Sequence, residues 1–140
     1  MTLDLQPTTP AASSSARAAA LQDACGDGVV ALPGDPAYDL RRAAWNSAVD
    51  QWPAAVATPR SASEVRAVVR AAADHGLRVA PQTTGHAAAI LAQHDLVSTV
   101  LVRMHRLDLV EVDAGRQVAR IGGGVAWQSV VAAAAEHYKR

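Results

Sequence analysis

The chain has 140 residues, with 13 basic and 13 acidic side chains and no net charge. That length suits one domain with a packed core and leaves little room for two. There is no run of like charge to suggest a nucleic-acid or polybasic membrane surface, and no apolar run approaches the ~20 residues of a membrane-spanning helix. Cys25 is the only cysteine, which excludes an intrachain disulfide and a multi-cysteine metal site and fits a reducing, cytoplasmic setting. Met1 to Ala16 has no basic segment leading into an apolar one, so it does not read as a signal peptide. The Arg41-Arg42 pair lies too far in for a twin-arginine signal.

Residues 1–15, rich in Pro, Thr, Ser and Ala, are expected to form a disordered lead-in. Ser15 is positioned to cap a short helix, Ala16 to Ala24, stopped by Gly26. Val29 to Leu32 is a strand candidate that ends at Pro33-Gly34, and Tyr38 to Trp45 a helical turn. A second short strand, Ala54 to Thr58, closes at Pro59. Ser61 and Glu64 then form a capping box. Ala62, Val65, Val68, Val69 and Ala72 follow at helical spacing as one apolar face, and Gly76 supplies a left-handed stop. Leu77 to Ala80 is a strand, so a strand–helix–strand unit is expected over 54–80. Val97 to Val102 reads as a buried strand. Leu107 to Val112 and Gln117 to Ile121 read as a hairpin around Asp113 to Arg116, with Gly115 free to take positive φ. After Gly122-Gly123-Gly124, Val125 to His137 reads as a helix with no strong cap at its opening.

The segment with the most chemical content is Val79 to Ala87. A short strand breaks at Pro81 and runs into small residues, then Gly85, then His86. Small residues let backbone N–H groups approach a ligand closely, and a concavity of amides binds phosphate oxygens well. Gly85-His86 would lie just past the C-terminal end of its strand, where open α/β sheets bind ligands. Taken alone, the Gly-His pair is also compatible with an ordinary turn. His86, His94 and His105 are spaced by 8 and 11 residues, which no single helix or hairpin brings together, so no metal site is expected. No G-x-S-x-G elbow is present. Gly122 to Gly124 can be a phosphate or ring contact or a flexible joint, but positions 125–127 do not complete G-x-G-x-x-G. Trp45, Trp52 and Trp127 are read as core or edge packing rather than cofactor stacking, and Cys25, near a helix end, as structural.

The order of the pieces is more distinctive than any one of them. Val29-Val30 with Pro33-Gly34-Asp35 and Tyr38 precedes Trp45-Asn46 and Asp50. Pro53 to Val56 follows, with Pro59, Ser61 and Val65, then Val79 to His86, Val102-Arg103-Met104, and Gly122 to Trp127. Over residues 28–137 the sequence resembles the N-terminal part of the FAD-binding domain of the FAD-linked oxidases, the vanillyl-alcohol oxidase / p-cresol methylhydroxylase (PCMH) type. It looks most like the bacterial members similar to berberine bridge enzyme.

That resemblance implies an α+β fold, a small sheet flanked by helices, forming part of a PCMH-type domain over 16–140. It implies FAD as cofactor. The loop Gln82, Thr83, Thr84, Gly85, His86 and Ala87 would wrap its pyrophosphate with backbone amides, Gly122 and Gly124 would add contacts, and His86 would be the residue that bonds covalently to the flavin 8α-methyl. Two departures stand out. The family usually has glycine where Thr83 stands, and a β-branched residue disfavours positive φ. It often has Ser or Asn where this chain has Ala87. The family continues with a second glycine-rich flavin segment and a substrate domain carrying the catalytic base, so no catalytic residue is assigned here. The full-length enzyme would pass a hydride from a small-molecule substrate to flavin N5, then electrons to O₂ or another acceptor. The chain stops at Glu136 to Arg140 without a capping glycine or closing strand, as expected of a truncated product, inactive by itself. The alternatives are a non-catalytic remnant and a stand-alone nucleotide-binding or interaction module.

Overall fold

The computed structural model describes residues 13–138. Most of the expected lead-in lies outside the described residues. Ser13 is not part of a lead-in but the cap of α1 (Ser14–Cys25), accepting the Ala16 amide at 3.3 Å. The helix therefore opens two residues earlier than the Ser15 cap would have allowed. A run of three serines offers three competing caps, and the sequence has no signal that ranks them.

After α1 come β1 (Val30–Ala31), α2 (Tyr38–Arg42), β2 (Ala55–Ala57), α3 (Ala62–Asp74), β3 (Arg78–Gln82), α4 (Ala88–Leu91) and β4 (Thr99–Arg103). The chain then forms a separate hairpin, β5 (Val110–Asp113) and β6 (Val118–Ile121), and α5 (Trp127–His137). The main sheet has the order β1-β2-β4-β3. β1 runs antiparallel to β2, whereas β4 is parallel to both its neighbours. The strand–helix–strand unit over 54–80 is present, but β4 inserts between its two strands. β3 is left at the sheet edge, the position that tolerates Pro81.

The short central strands are buried on both faces, so they read as apolar runs rather than alternating ones. Ala55, Ala57, Val100 and Val102 face α1 and α3, where they meet Leu21, Val68 and Leu77. Val56 and Leu101 face the other way, against Tyr38 and Leu91. Tyr38 brings its hydroxyl into that interior and donates it to the Pro53 carbonyl at 2.6 Å.

Helix α3 is capped by Ser61 as read, its Oγ accepting the Glu64 amide at 3.2 Å, but Glu64 reaches back to the Arg60 amide, one residue before the cap, rather than to that of Ser61. Its buried stripe is Val68, Ala71 and Ala72, with Val65 half-buried, whereas Val69 and Ala62 are exposed. The stripe is turned slightly from the face expected, and it shares one core cluster with Ala18 and Leu21 of α1. In the hairpin the left-handed residue is Gln117, at φ +56°, not Gly115. Asp113 and Val118 pair directly, leaving a four-residue loop whose last position turns left-handed, and Asp113 Oδ1 accepts the Arg116 amide to close it. The three tryptophans are all exposed (77%, 58% and 69% for Trp45, Trp52 and Trp127), so none serves the core. Cys25 packs partly against the core and burial pushes its thiol pKa up, as suits a structural cysteine.

Val68 has no solvent exposure and lies between α1 and the sheet. Val68→Asp is expected to destabilise the fold by on the order of several kcal/mol, through an unpaired buried carboxylate. Urea denaturation followed by circular dichroism checks this; an unchanged midpoint would contradict the packing described.

Candidate functional site: the loop at the C-terminal end of β3

Parallel pairing places the ends of β2, β4 and β3 along one edge of the sheet, at Thr58, Met104 and Thr83. The chain leaves β3 at Gln82, turns at Gly85 (φ +90°) and enters α4 at Ala88. A side chain at Gly85 would be strained by that φ and would sit 3.4 Å from both Ala44 Cβ and Gln82 Cδ. Thr83 has negative φ, since the left-handed position belongs to Gly85. The β-branched residue therefore fits its place in the loop. Its hydroxyl donates to the Gly123 carbonyl at 3.0 Å, which joins the loop to the glycine triplet.

The amides of Thr83, Thr84, Gly85, His86 and Ala87 find no hydrogen-bond acceptor among the described residues. Gly85 is buried, Thr83 half-buried and the other three exposed, so these donors stand open to solvent or to an incoming acceptor, and a run of free amides around a left-handed glycine suits an anion. The loop lines a cleft of about 420 Å³, completed by Ile90, Leu91 and His94 from the α4 side. The residues present thus fit a phosphate-bearing ligand. His86 is exposed, its ring 6.0 Å from that of Trp45 and inclined at 58°. The Trp45 amide donates to the Thr84 carbonyl at 3.3 Å, which holds the 45 segment against the loop.

Gln82 lines the cleft, yet its side chain is turned inward and buried. Its Nε2 donates to Gln51 Oε1 at 3.0 Å, and its Oε1 accepts from Arg103. Gln51, 1% exposed, is the partner the sequence did not reveal. A glutamine between Asp50 and Trp52 carries no local signal of burial. His94, which lines the cleft, and Trp45, which stands beside His86, were likewise not singled out here.

Gly122 and Gly124 do different work from the loop. Their amides donate to the Leu109 carbonyl at 2.8 Å and the Leu107 carbonyl at 3.0 Å. Their Cα atoms are pressed against the backbone of residues 104–109: a Cβ on Gly124 would land on the Met104 carbonyl, 2.9 Å from His105 Cα. Both amides are thus spent inside the chain, and only Gly123 meets the loop, through Thr83.

This is the architecture of a flavin-nucleotide domain. Residues 53–139, more than half of the chain, match the FAD binding domain family, and the chain belongs to that family. It is 30% identical over 109 residues to (R)-6-hydroxynicotine oxidase of Paenarthrobacter nicotinovorans, covering 78% of this chain and 23% of that protein. It is 24% identical over 117 residues to the FAD-linked oxidoreductase aurO of Gibberella zeae, covering 84% of this chain and 23% of that protein. Among solved structures it is similar to 6-hydroxy-D-nicotine oxidase from Arthrobacter nicotinovorans, with a TM-score of 0.66 at 28% identity over 79% of this chain and 24% of that one. The pollen allergen Phl p 4 shares the fold at a TM-score of 0.72 and 20% identity, over 86% of this chain and 26% of that one. The chain thus spans about a quarter of these relatives. The expected α+β class and FAD-linked family are borne out.

The close approach at Gly124 gives a sharp contrast within the triplet. Gly124→Ala is expected to cost several kcal/mol, on the order of a core lesion, because backbone has to move. Gly123→Ala meets only the flexible end of Met104 at 3.1 Å and should stay within about 1 kcal/mol of wild type. Paired thermal melts test the difference; equal losses would refute the packing assigned to Gly124.

Proposed function

We propose that the chain forms the pyrophosphate-binding part of an FAD-dependent oxidoreductase acting on a small organic substrate, with the amides of Thr83 to Ala87 seating the phosphates. The observation that carries this reading is the run of five amides without an acceptor around Gly85. Backbone donors held by a rigid strand end need no reorganisation to receive charge. A bound flavin supplies a two-electron acceptor. What the chain itself does is bind and place. Gly85 turns the backbone, Thr83 ties the loop to Gly123, and Trp45 stands against His86.

His86 is the residue we assign as covalent anchor. An imidazole nitrogen is a competent nucleophile, and holding it beside one carbon of a bound ring matters more than its intrinsic reactivity. The reading is supported by its exposed position directly after Gly85. A cytoplasmic setting is part of this reading, since the single cysteine, Cys25, is free and suits a reducing compartment. Protein loaded with FAD and precipitated in acid is expected to keep flavin on the peptide containing His86 and to lose it in His86→Ala, read by mass spectrometry. Flavin retained through another residue in His86→Ala would refute the assignment.

We further propose that the 140-residue chain alone is catalytically silent. Its cleft is bounded by one loop and a four-residue helix, with His86 and Ala87 exposed. Such a site neither excludes water nor orients a substrate. Oxygen-electrode assays with added FAD and 6-hydroxynicotine should show no turnover above free flavin; turnover would overturn this.

A further inference from the structure

A second concavity, about 440 Å³, opens on the same sheet edge and is lined by Arg41, Arg103, His105 and Arg106 together with Thr58. It does not include the loop of Thr83 to Ala87. In a chain of zero net charge, three guanidinium groups converge here with no carboxylate within 4 Å of any of them among the described residues. The acids of the nearby segment, Asp39 and Asp50, are both engaged by Arg42 instead. Arg41 donates to the Gly28 carbonyl at 3.1 Å, and Arg103 donates to Gln82 Oε1. Both partners are neutral, so neither removes charge. Burial, then Arg103, Arg106 and Arg41, push the His105 pKa down, as expected for an imidazole facing positive charge with no acid to offset it.

Like charges gathered at one concavity repel unless an anion joins them, and guanidinium groups pair with tetrahedral oxyanions through parallel N–H donors. We propose that this pocket is an anion site for a phosphate group, separate from the flavin cleft, with Arg41, Arg103 and Arg106 as charge partners and His105 and Thr58 as hydrogen-bonding neighbours. The site stands whether or not the amide loop seats FAD.

Inorganic phosphate is the probe, and the His105 ring resonance, titrated by NMR, is the readout. Phosphate should raise the His105 midpoint by about one pH unit relative to chloride at equal ionic strength, since a nearby anion favours the imidazolium. Arg41→Gln with Arg106→Gln, which remove one half-buried and one exposed side chain, should weaken the apparent phosphate affinity by about tenfold or more. Added FAD should leave the phosphate-induced shift in place. No shift with phosphate, or an unchanged affinity in the double variant, overturns the proposal. So does loss of the shift on adding FAD, which would make the pocket part of the cofactor seat. Failure of FAD to bind at all counts against the flavin reading only, because the phosphate titration is read without it.

Discussion

Two buried primary amides hold the loop-bearing edge of this molecule in place. Gln51 and Gln82, 1% and 6% exposed, face each other at the end of β3. Gln82 Nε2 donates to Gln51 Oε1 at 3.0 Å, and Gln51 Nε2 donates to the Arg42 carbonyl at 3.2 Å. Gln82 Oε1 takes a charge-assisted bond from Arg103. A buried amide atom left without a partner costs about 1–3 kcal/mol, so the set is stable only when every member is in place. The direction in which the chain leaves Gln82 is thereby tied to the segment before β2 and to the end of β4. At Gly85 a Cβ would come within 3.4 Å of Gln82 Cδ, so the turn runs close over this pair. The path of the loop from Thr83 to Ala87 starts from this polar floor.

Arg42 extends the same logic one step outward. Its guanidinium lies 3.8 Å from the Trp52 ring, bonds Asp39 at 2.8 Å and the Gln51 carbonyl at 3.0 Å, and also bonds Asp50. The Arg42 contact holds the Asp50 carboxyl below its ordinary pKa. Ion pairs this exposed add little stability in water. Their effect is geometric: they fix Arg42 so that its carbonyl and guanidinium bracket Gln51. One arginine of the Arg41-Arg42 pair is fully neutralised by this, and the other is left facing Arg103 and Arg106. The zero net charge of the chain therefore hides a local imbalance.

The parts of the fold legible in the sequence were those with local causes. The α3 cap needed only Ser61 and Glu64 three residues apart, and β3 needed a glycine stop followed by an apolar run. The loop of Thr83 to Ala87 was legible for a related reason: its left-handed turn needs a glycine, and Gly85 is visible in a sequence. What could not be read has non-local causes. The insertion of β4 between β2 and β3 depends on which strand buries more surface. The burial of Gln51 depends on a partner 31 positions away. Gly122 and Gly124 look like ligand-binding glycines, but they are required by the carbonyls of Met104 and Leu107. A glycine pattern shows that something approaches the backbone closely without showing whether it is ligand or chain. The tryptophans failed differently, since an apolar side chain carries no mark of which face it will occupy.

The structure divides into two parts of unequal cohesion, and the loop lies between them. The central strands β2 and β4 bury their apolar side chains on both faces, against α1 and α3 on one side and Tyr38 and Leu91 on the other. The β5–β6 hairpin and α5 bury little. Every residue of β6 is exposed, α5 buries only Val130, and Leu109, Val118, Ile121 and Trp127 face outward. Few buried contacts mean low local opening energy, so the hairpin and helix should exchange amide protons well before the sheet does. Their attachment is backbone to backbone, through Gly122 and Gly124 against residues 104–109, and it reaches the loop by one bond, Thr83 Oγ1 to Gly123. One end of the loop is therefore anchored to the four-stranded sheet, at Gln82, and its side contact is to the weakly buried hairpin and helix.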